Sequence, residues 1–261
     1  MLILPYTERK FKKFFRKEHQ KMRKILASVF LMVLSILCYS SNLQTENFSA
    51  EKIFMENIPL EKQETTISES RYLFLYNNFQ LSDKISYRVF KLAFKGYSKI
   101  ENKKGNYLVI IDYSKPSNEK RFAVLNMGTL KLEDYTYVAH GKNTGTDMAI
   151  SFSNKVNSYK SSLGFYLTGK TYNGRYGYSL KLYGLEEGFN SNAYTRGVVI
   201  HGADASEPEY LKKYGFLGRT EGCPAVPKTL NKGIVEKLRN GSVVFVYGND
   251  ENYLRESKLI K

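Results

Sequence analysis

From residue 106 onward the chain breaks into short apolar or alternating runs separated by Gly, Asn and Ser, and this punctuation confines it to a mainly β fold. Residues 107–112 (YLVIID) and 122–125 (FAVL) flank Ser114-Lys-Pro-Ser-Asn118, a hairpin-type connection. Residues 135–139, 163–168, 178–182, 198–200 and 243–247 continue the series, as in a β-sandwich or barrel. One helix interrupts it. Pro227 lies near its start, Leu230, Ile234, Val235 and Leu238 form the expected buried stripe, and Asn240-Gly241 ends it. Upstream, residues 67–79 carry a weaker helical pattern. A second helix is expected after Ser82 as N-cap, with Ile85, Val89, Phe90, Ala93, Phe94 and Tyr97 at helical spacing. The expected organisation is a helical segment over 67–100, a β-rich α+β domain over 101–250 and a tail over 251–261.

The first forty residues read differently. Residues 1–24 hold nine Lys/Arg against two acids, which is +7 of the net +15. The apolar run 25–39 follows, then Ser40-Ser41-Asn42, the order of a secretory leader over residues 1–40. The run is shorter than the ~20 residues of a spanning helix. Met22-Arg23-Lys24 is itself a compact basic start, so translation from Met22 fits equally well. The expected location is the periplasm or cell envelope, reached by cleavage after Ser40, by lipidation at Cys38 or by a retained membrane anchor. Residues 41–66 are polar and weakly periodic, as in a tether.

Beyond residue 24 the basic excess is thin and Lys-rich, with no dense run, so nucleic acid is not an expected partner. Two cysteines, Cys38 and Cys223, cannot build a disulfide framework, and structural zinc needs more Cys/His pairs than the chain has. Once Cys38 is removed or modified, Cys223 is an odd thiol in an exported protein, which raises the question of reactivity.

Three histidines occur. His19 lies in the leader, His140 follows a strand in Val138-Ala-His-Gly-Lys-Asn143, and His201 ends the apolar strand Gly197-Val-Val-Ile-His-Gly202. Cys223 sits in Leu217-Gly-Arg-Thr-Glu-Gly-Cys-Pro-Ala-Val-Pro227. There Gly222 permits close backbone approach and Pro224 fixes the chain just after the sulfur. A thiol attacks as thiolate and needs an imidazole or cation beside it, for which His201 and Arg219 are the candidates. The 21 residues between His201 and Cys223 are enough to fold back. A satisfied core histidine and an inert buried cysteine remain open on these grounds alone.

The combination of Ile200-His-Gly202 with Gly218-Arg-Thr-Glu-Gly-Cys-Pro-Ala225 resembles the YkuD-type L,D-transpeptidases of bacterial cell walls, and more closely the murein L,D-transpeptidase catalytic domain family. The resemblance extends through residues 111–121, 138–143, 151–154, 161–166 and 184–190 and covers about 85–248. It implies a β-sandwich or barrel-like catalytic domain with an N-terminal helical segment and one helix after the cysteine. It also implies Cys223 as nucleophile and His201 as its base, with Gly222, Arg219, Thr220 and Gly202 forming the oxyanion and substrate-positioning surround. One departure is notable: Glu221 stands where the core family places a second histidine. An acid there raises a thiol's pKa if it is close and desolvated.

The implied reaction is acylation of Cys223 by a peptidoglycan stem peptide at its third residue, and transfer to an amine of a neighbouring stem. It requires neither metal nor nucleotide. A hydrolase with water as acceptor, or a wall-binding domain without catalysis, would use the same residues. His140 is expected to stabilise a loop.

Overall fold

The computed structural model describes residues 60–261, with side chains from Ser68 onward. The leader, Cys38 and most of the 41–66 stretch therefore lie outside the described residues. Apart from the start of the first helix, all features below belong to the unit Ser68–Lys261. Helix α1 runs Leu60–Asn78, so it begins within the stretch read as a tether. Among the described residues no helix is long and apolar enough to cross a membrane.

Helix α2 spans Tyr87–Lys99. Its N-cap is Ser86 rather than Ser82: the Ser86 side chain accepts from the Val89 amide, satisfying one of the free N–H groups at the helix start. The stripe is as the spacing indicates, with Val89, Phe90, Ala93 and Phe94 buried. It lies close against the sheet, because Gly96 offers no Cβ where the Phe165 ring sits.

Eight strands form one mixed sheet: β1 (Tyr107–Asp112), β2 (Phe122–Asn126), β3 (Lys131–Thr136), β4 (Gly164–Gly174), β5 (Gly177–Gly184), β6 (Val199–Ala203), β7 (Ala225–Pro227) and β8 (Val243–Tyr247). Their order is β3-β2-β1-β8-β4-β5-β6-β7. Only β1–β8 and β6–β7 pair in parallel. β8 lies between β1 and β4 with all five residues buried, which explains its unbroken Val-Val-Phe-Val-Tyr run. Beyond β3, Ala139 bridges to Ala225 of β7 and Gly141 to Thr220, so the two sheet edges nearly meet and the sheet approaches a barrel. This near-closure positions the site, since it brings the 139–144 segment beside the cysteine loop.

Helix α3 (Pro208–Tyr214) precedes that loop. Helix α4 (Lys228–Leu238) follows β7, capped at Pro227 and ended where Asn240 and Gly241 take positive φ. Its buried stripe is Asn231, Ile234, Val235 and Leu238. Leu230 was expected inside but is 44% exposed. Asn231 takes the inward position because its Nδ2 donates to the Tyr178 carbonyl at 2.7 Å, and because Gly202 of β6 leaves room for its Cβ. Residues 251–261, read as a tail, contain helix α5 (Glu251–Glu256), whose Tyr253 is fully buried.

Candidate active site

The loop Leu217–Pro224 carries the cysteine from α3 to β7. Its conformation is fixed by short-range bonds that the sequence Thr-x-Gly-Cys encodes. Thr220 Oγ1 donates to the Cys223 carbonyl at 2.7 Å and accepts from the Gly222 amide at 3.1 Å. The neighbouring 140–144 segment holds the loop from one side: the Thr220 amide donates to the His140 carbonyl, and the Lys142 amide donates to the Thr220 carbonyl. Ser161 holds it from the other, accepting from the Gly141 amide and donating to the Gly222 carbonyl at 3.4 Å.

Cys223 is 8% exposed. Its Sγ–H donates to the Gly197 carbonyl at 3.6 Å. Burial pushes the thiol pKa up and Glu221 adds to the rise, while the Val199 amide and the Arg196 guanidinium pull it down. The Cys223 amide has no acceptor among the described residues, whereas the Gly222 amide is taken by Thr220. Of the two amides that flank the peptide unit before the sulfur, Cys223 N–H is therefore the one left to meet an oxyanion.

His201 lies on β6 opposite Ala225 of β7, two residues past the cysteine, and is 3% exposed. Its Nδ1–H donates to the Gly202 carbonyl at 3.0 Å. That bond fixes the tautomer and leaves Nε2 as the proton acceptor. Burial lowers the imidazole pKa, partly offset by the Gly202 carbonyl. The Tyr176 ring stacks on the imidazole at 4.6 Å and 20°. Tyr176 belongs to the two-residue tip of the β4–β5 hairpin, where Gly174 pairs with Gly177 at φ +75°.

Cys223 and His201 line one cleft of about 950 Å³, with Tyr176, Arg196, Arg219 and Glu221 around them. No hydrogen bond joins sulfur to imidazole in this resting arrangement. Arg219 is exposed on the cleft wall. Glu221 turns its half-exposed carboxylate outward, accepting from the Tyr176 hydroxyl at 3.4 Å and pairing with Lys142 at 3.8 Å. A substituent so solvated raises the thiol pKa less than a buried acid would.

His140 is not in this cleft lining. It is 1% exposed; Nδ1 accepts from Arg121 Nη2 at 2.8 Å, and Nε2–H donates to the Gly145 carbonyl at 3.3 Å. Burial first and the Arg121 charge second push its pKa down to about 4. Arg196, Tyr176 and Ser161 were missed from sequence. Arg196 immediately precedes the Gly-Val-Val-Ile-His strand and Tyr176 sits in Gly-Arg-Tyr-Gly, the only signals that pointed to them. Among the described residues no three His, Cys, Asp or Glu side chains gather as metal ligands would.

A thiol and a tautomer-fixed imidazole sharing a cleft at a sheet edge are the two groups that nucleophilic acyl transfer by a cysteine requires. The family described as "L,D-transpeptidase catalytic domain" matches residues 81–247. The chain belongs to this family. It is similar to three solved structures described as L,D-transpeptidases. The first, from Mycobacterium smegmatis, has 12% identity and a TM-score of 0.34, covering 55% of this chain and 59% of that one. For the Stackebrandtia nassauensis enzyme the values are 16% and 0.36, covering 61% and 66%. For the Mycobacterium tuberculosis enzyme they are 13% and 0.36, covering 55% and 58%. The chain thus spans under two thirds of the length of these relatives. No curated protein matches it.

Proposed function

We propose that the protein is a peptidoglycan L,D-transpeptidase that works through a thioester on Cys223. The observation that carries this reading is the shared cleft, in which His201 presents a free Nε2 and Cys223 a free amide beside its sulfur. Nε2 takes the thiol proton as sulfur attacks the carbonyl linking the third stem residue to a terminal D-amino acid. The tetrahedral oxyanion accepts from the Cys223 amide. His201 returns the proton to the leaving amine, the D-amino acid departs, and the stem stays as a thioester. An amine of a neighbouring stem then attacks, His201 takes its proton, and the thiol is regenerated with a new amide bond. Water in place of that amine would make the same site a hydrolase, and product analysis separates the two. The reading places the protein outside the cytoplasm, reached through the basic and apolar leader.

Intact-mass spectrometry after incubation with a tetrapeptide stem is the test. Wild type should gain the mass of the stem less its terminal D-amino acid, and a carbapenem should add its own mass. Cys223→Ala should gain neither. His201→Ala should fold and acylate at least 100-fold more slowly, the lower end of the usual general-base contribution. Equal labelling of wild type and Cys223→Ala would reject the thioester.

A further inference from the structure

Arg196 lies in the turn that leads into β6, and its guanidinium is built into the cysteine loop rather than left on the surface. Nη1 donates to the Ser153 carbonyl at 2.8 Å and to Ser162 Oγ; Nη2 donates to the Lys160 carbonyl at 2.5 Å and to Ser158 Oγ at 3.3 Å. A Cβ on Gly222 would lie 3.1 Å from Nη2, so the cation packs on the backbone just before Cys223. The next residue, Gly197, supplies the carbonyl that receives the thiol proton at rest.

All four acceptors are neutral oxygens. The groups that could answer the charge of Arg196 as anions are Tyr166 and Cys223. Tyr166 is fully buried, donates to the Ser162 carbonyl and has its pKa pushed far up, so it stays neutral. Cys223 is what remains. A half-buried guanidinium whose four hydrogen bonds all go to neutral oxygens, with no carboxylate beside it, costs desolvation energy unless an anion forms nearby.

Other groups face the sulfur. His201 on β6 is held neutral by burial. Glu221 in the sulfur's own loop disfavours a negative sulfur, whereas Tyr176 from the hairpin tip and Tyr113 just after β1 have raised pKa values, stay neutral and set no charge against it. Against Glu221, Arg196 is the one cation among the described residues that favours it.

We propose that Arg196 is a positioning residue that acts as the fixed counter-ion of the Cys223 thiolate, compensating for Glu221 in place of a second histidine, and that it ties the 153–162 segment to the cysteine loop in the same step. The inference rests on Cys223 being the nucleophile, but on no particular substrate.

The test is the pH dependence of Cys223 alkylation by iodoacetamide, followed on the Cys223 peptide by mass spectrometry in the full chain so that Cys38 does not contribute. Arg196→Gln should move the midpoint up by about one pH unit and slow alkylation at pH 7 about tenfold, the loss of one favourable charge contact. Arg196→Lys keeps the charge without the fork and should hold the midpoint within a few tenths of a unit while lowering the melting temperature. A folded Arg196→Gln with the wild-type midpoint would overturn the proposal. So would an Arg196→Lys midpoint raised by a full unit, and that variant alone decides the matter if Arg196→Gln does not fold. Alkylation needs no stem peptide, so failure of the transpeptidase reading would leave this result intact.

Discussion

At position 222 a side chain has no place to go. The backbone φ is +121°, a conformation that L residues rarely adopt, and a Cβ would stand 2.8 Å from the Lys160 carbonyl oxygen. Gly222→Ala should cost about 1–3 kcal/mol, the range for a strained backbone position. The loop can relieve that strain only by moving Cys223 away from Arg196 and Gly197. Urea unfolding measures the first effect and iodoacetamide alkylation the second. A variant with wild-type stability and reactivity would show that the close approach is not maintained. Sequence indicated a glycine needed for proximity here, but it could not say that the neighbour would be Lys160.

Among the elements, sequence indicated neither the short α3 nor α5, and α5 is the one that closes over a buried carboxyl group. Its Tyr253 hydroxyl donates to Glu186 Oε2 at 3.0 Å, Ser257 Oγ donates to Glu186 Oε1, and the Phe165 amide completes the set at 2.7 Å. Burial raises the Glu186 pKa although these donors oppose the rise. Tyr253→Phe should cost on the order of 1–3 kcal/mol for one hydrogen bond lost from a buried carboxyl group that keeps the Phe165 amide, and Tyr253→Ala about 3–5 kcal/mol with the added cavity. Equilibrium urea unfolding gives both values. A near-zero cost for Tyr253→Phe would mean that only the ring matters and that the carboxylate finds another donor.

Across the whole molecule, acid should be destabilising through His140. Its pKa is about 4 in the fold against an ordinary 6.5, so its contribution is complete above 6.5 and is lost as the pH falls toward 4. Integrated over that window, the loss is on the order of 3 kcal/mol. His201 shifts in the same direction, while Glu186, with a raised pKa, gives stability that is lost as the pH rises through its folded value. Comparing wild type with His140→Asn separates these contributions. Unfolding free energies at pH 7.5, 5.5 and 4.5 should fall less steeply in the variant, and an unchanged slope would refute the assignment.

The sequence by itself determined most of the β runs (β3 lies at Lys131–Thr136 rather than 135–139), the α2 stripe, and the pairing of an Ile-His-Gly strand end with a Gly-Cys-Pro loop. Those features depend on local periodicity and on residues whose backbone or chemical demands are their own. Tertiary structure alone decided that Asn231 rather than Leu230 faces inward. Both fit a helix, and only the missing Cβ of Gly202 and the free Tyr178 carbonyl select between them. It likewise decided that Glu221 turns to Lys142 and Tyr176, and that Arg196 rather than the exposed Arg219 packs beside the cysteine loop. Arg196 lies 27 residues from Cys223 in sequence. The two meet because β6 and β7 pair in parallel and the sheet nearly closes, a long-range contact that no local pattern can encode.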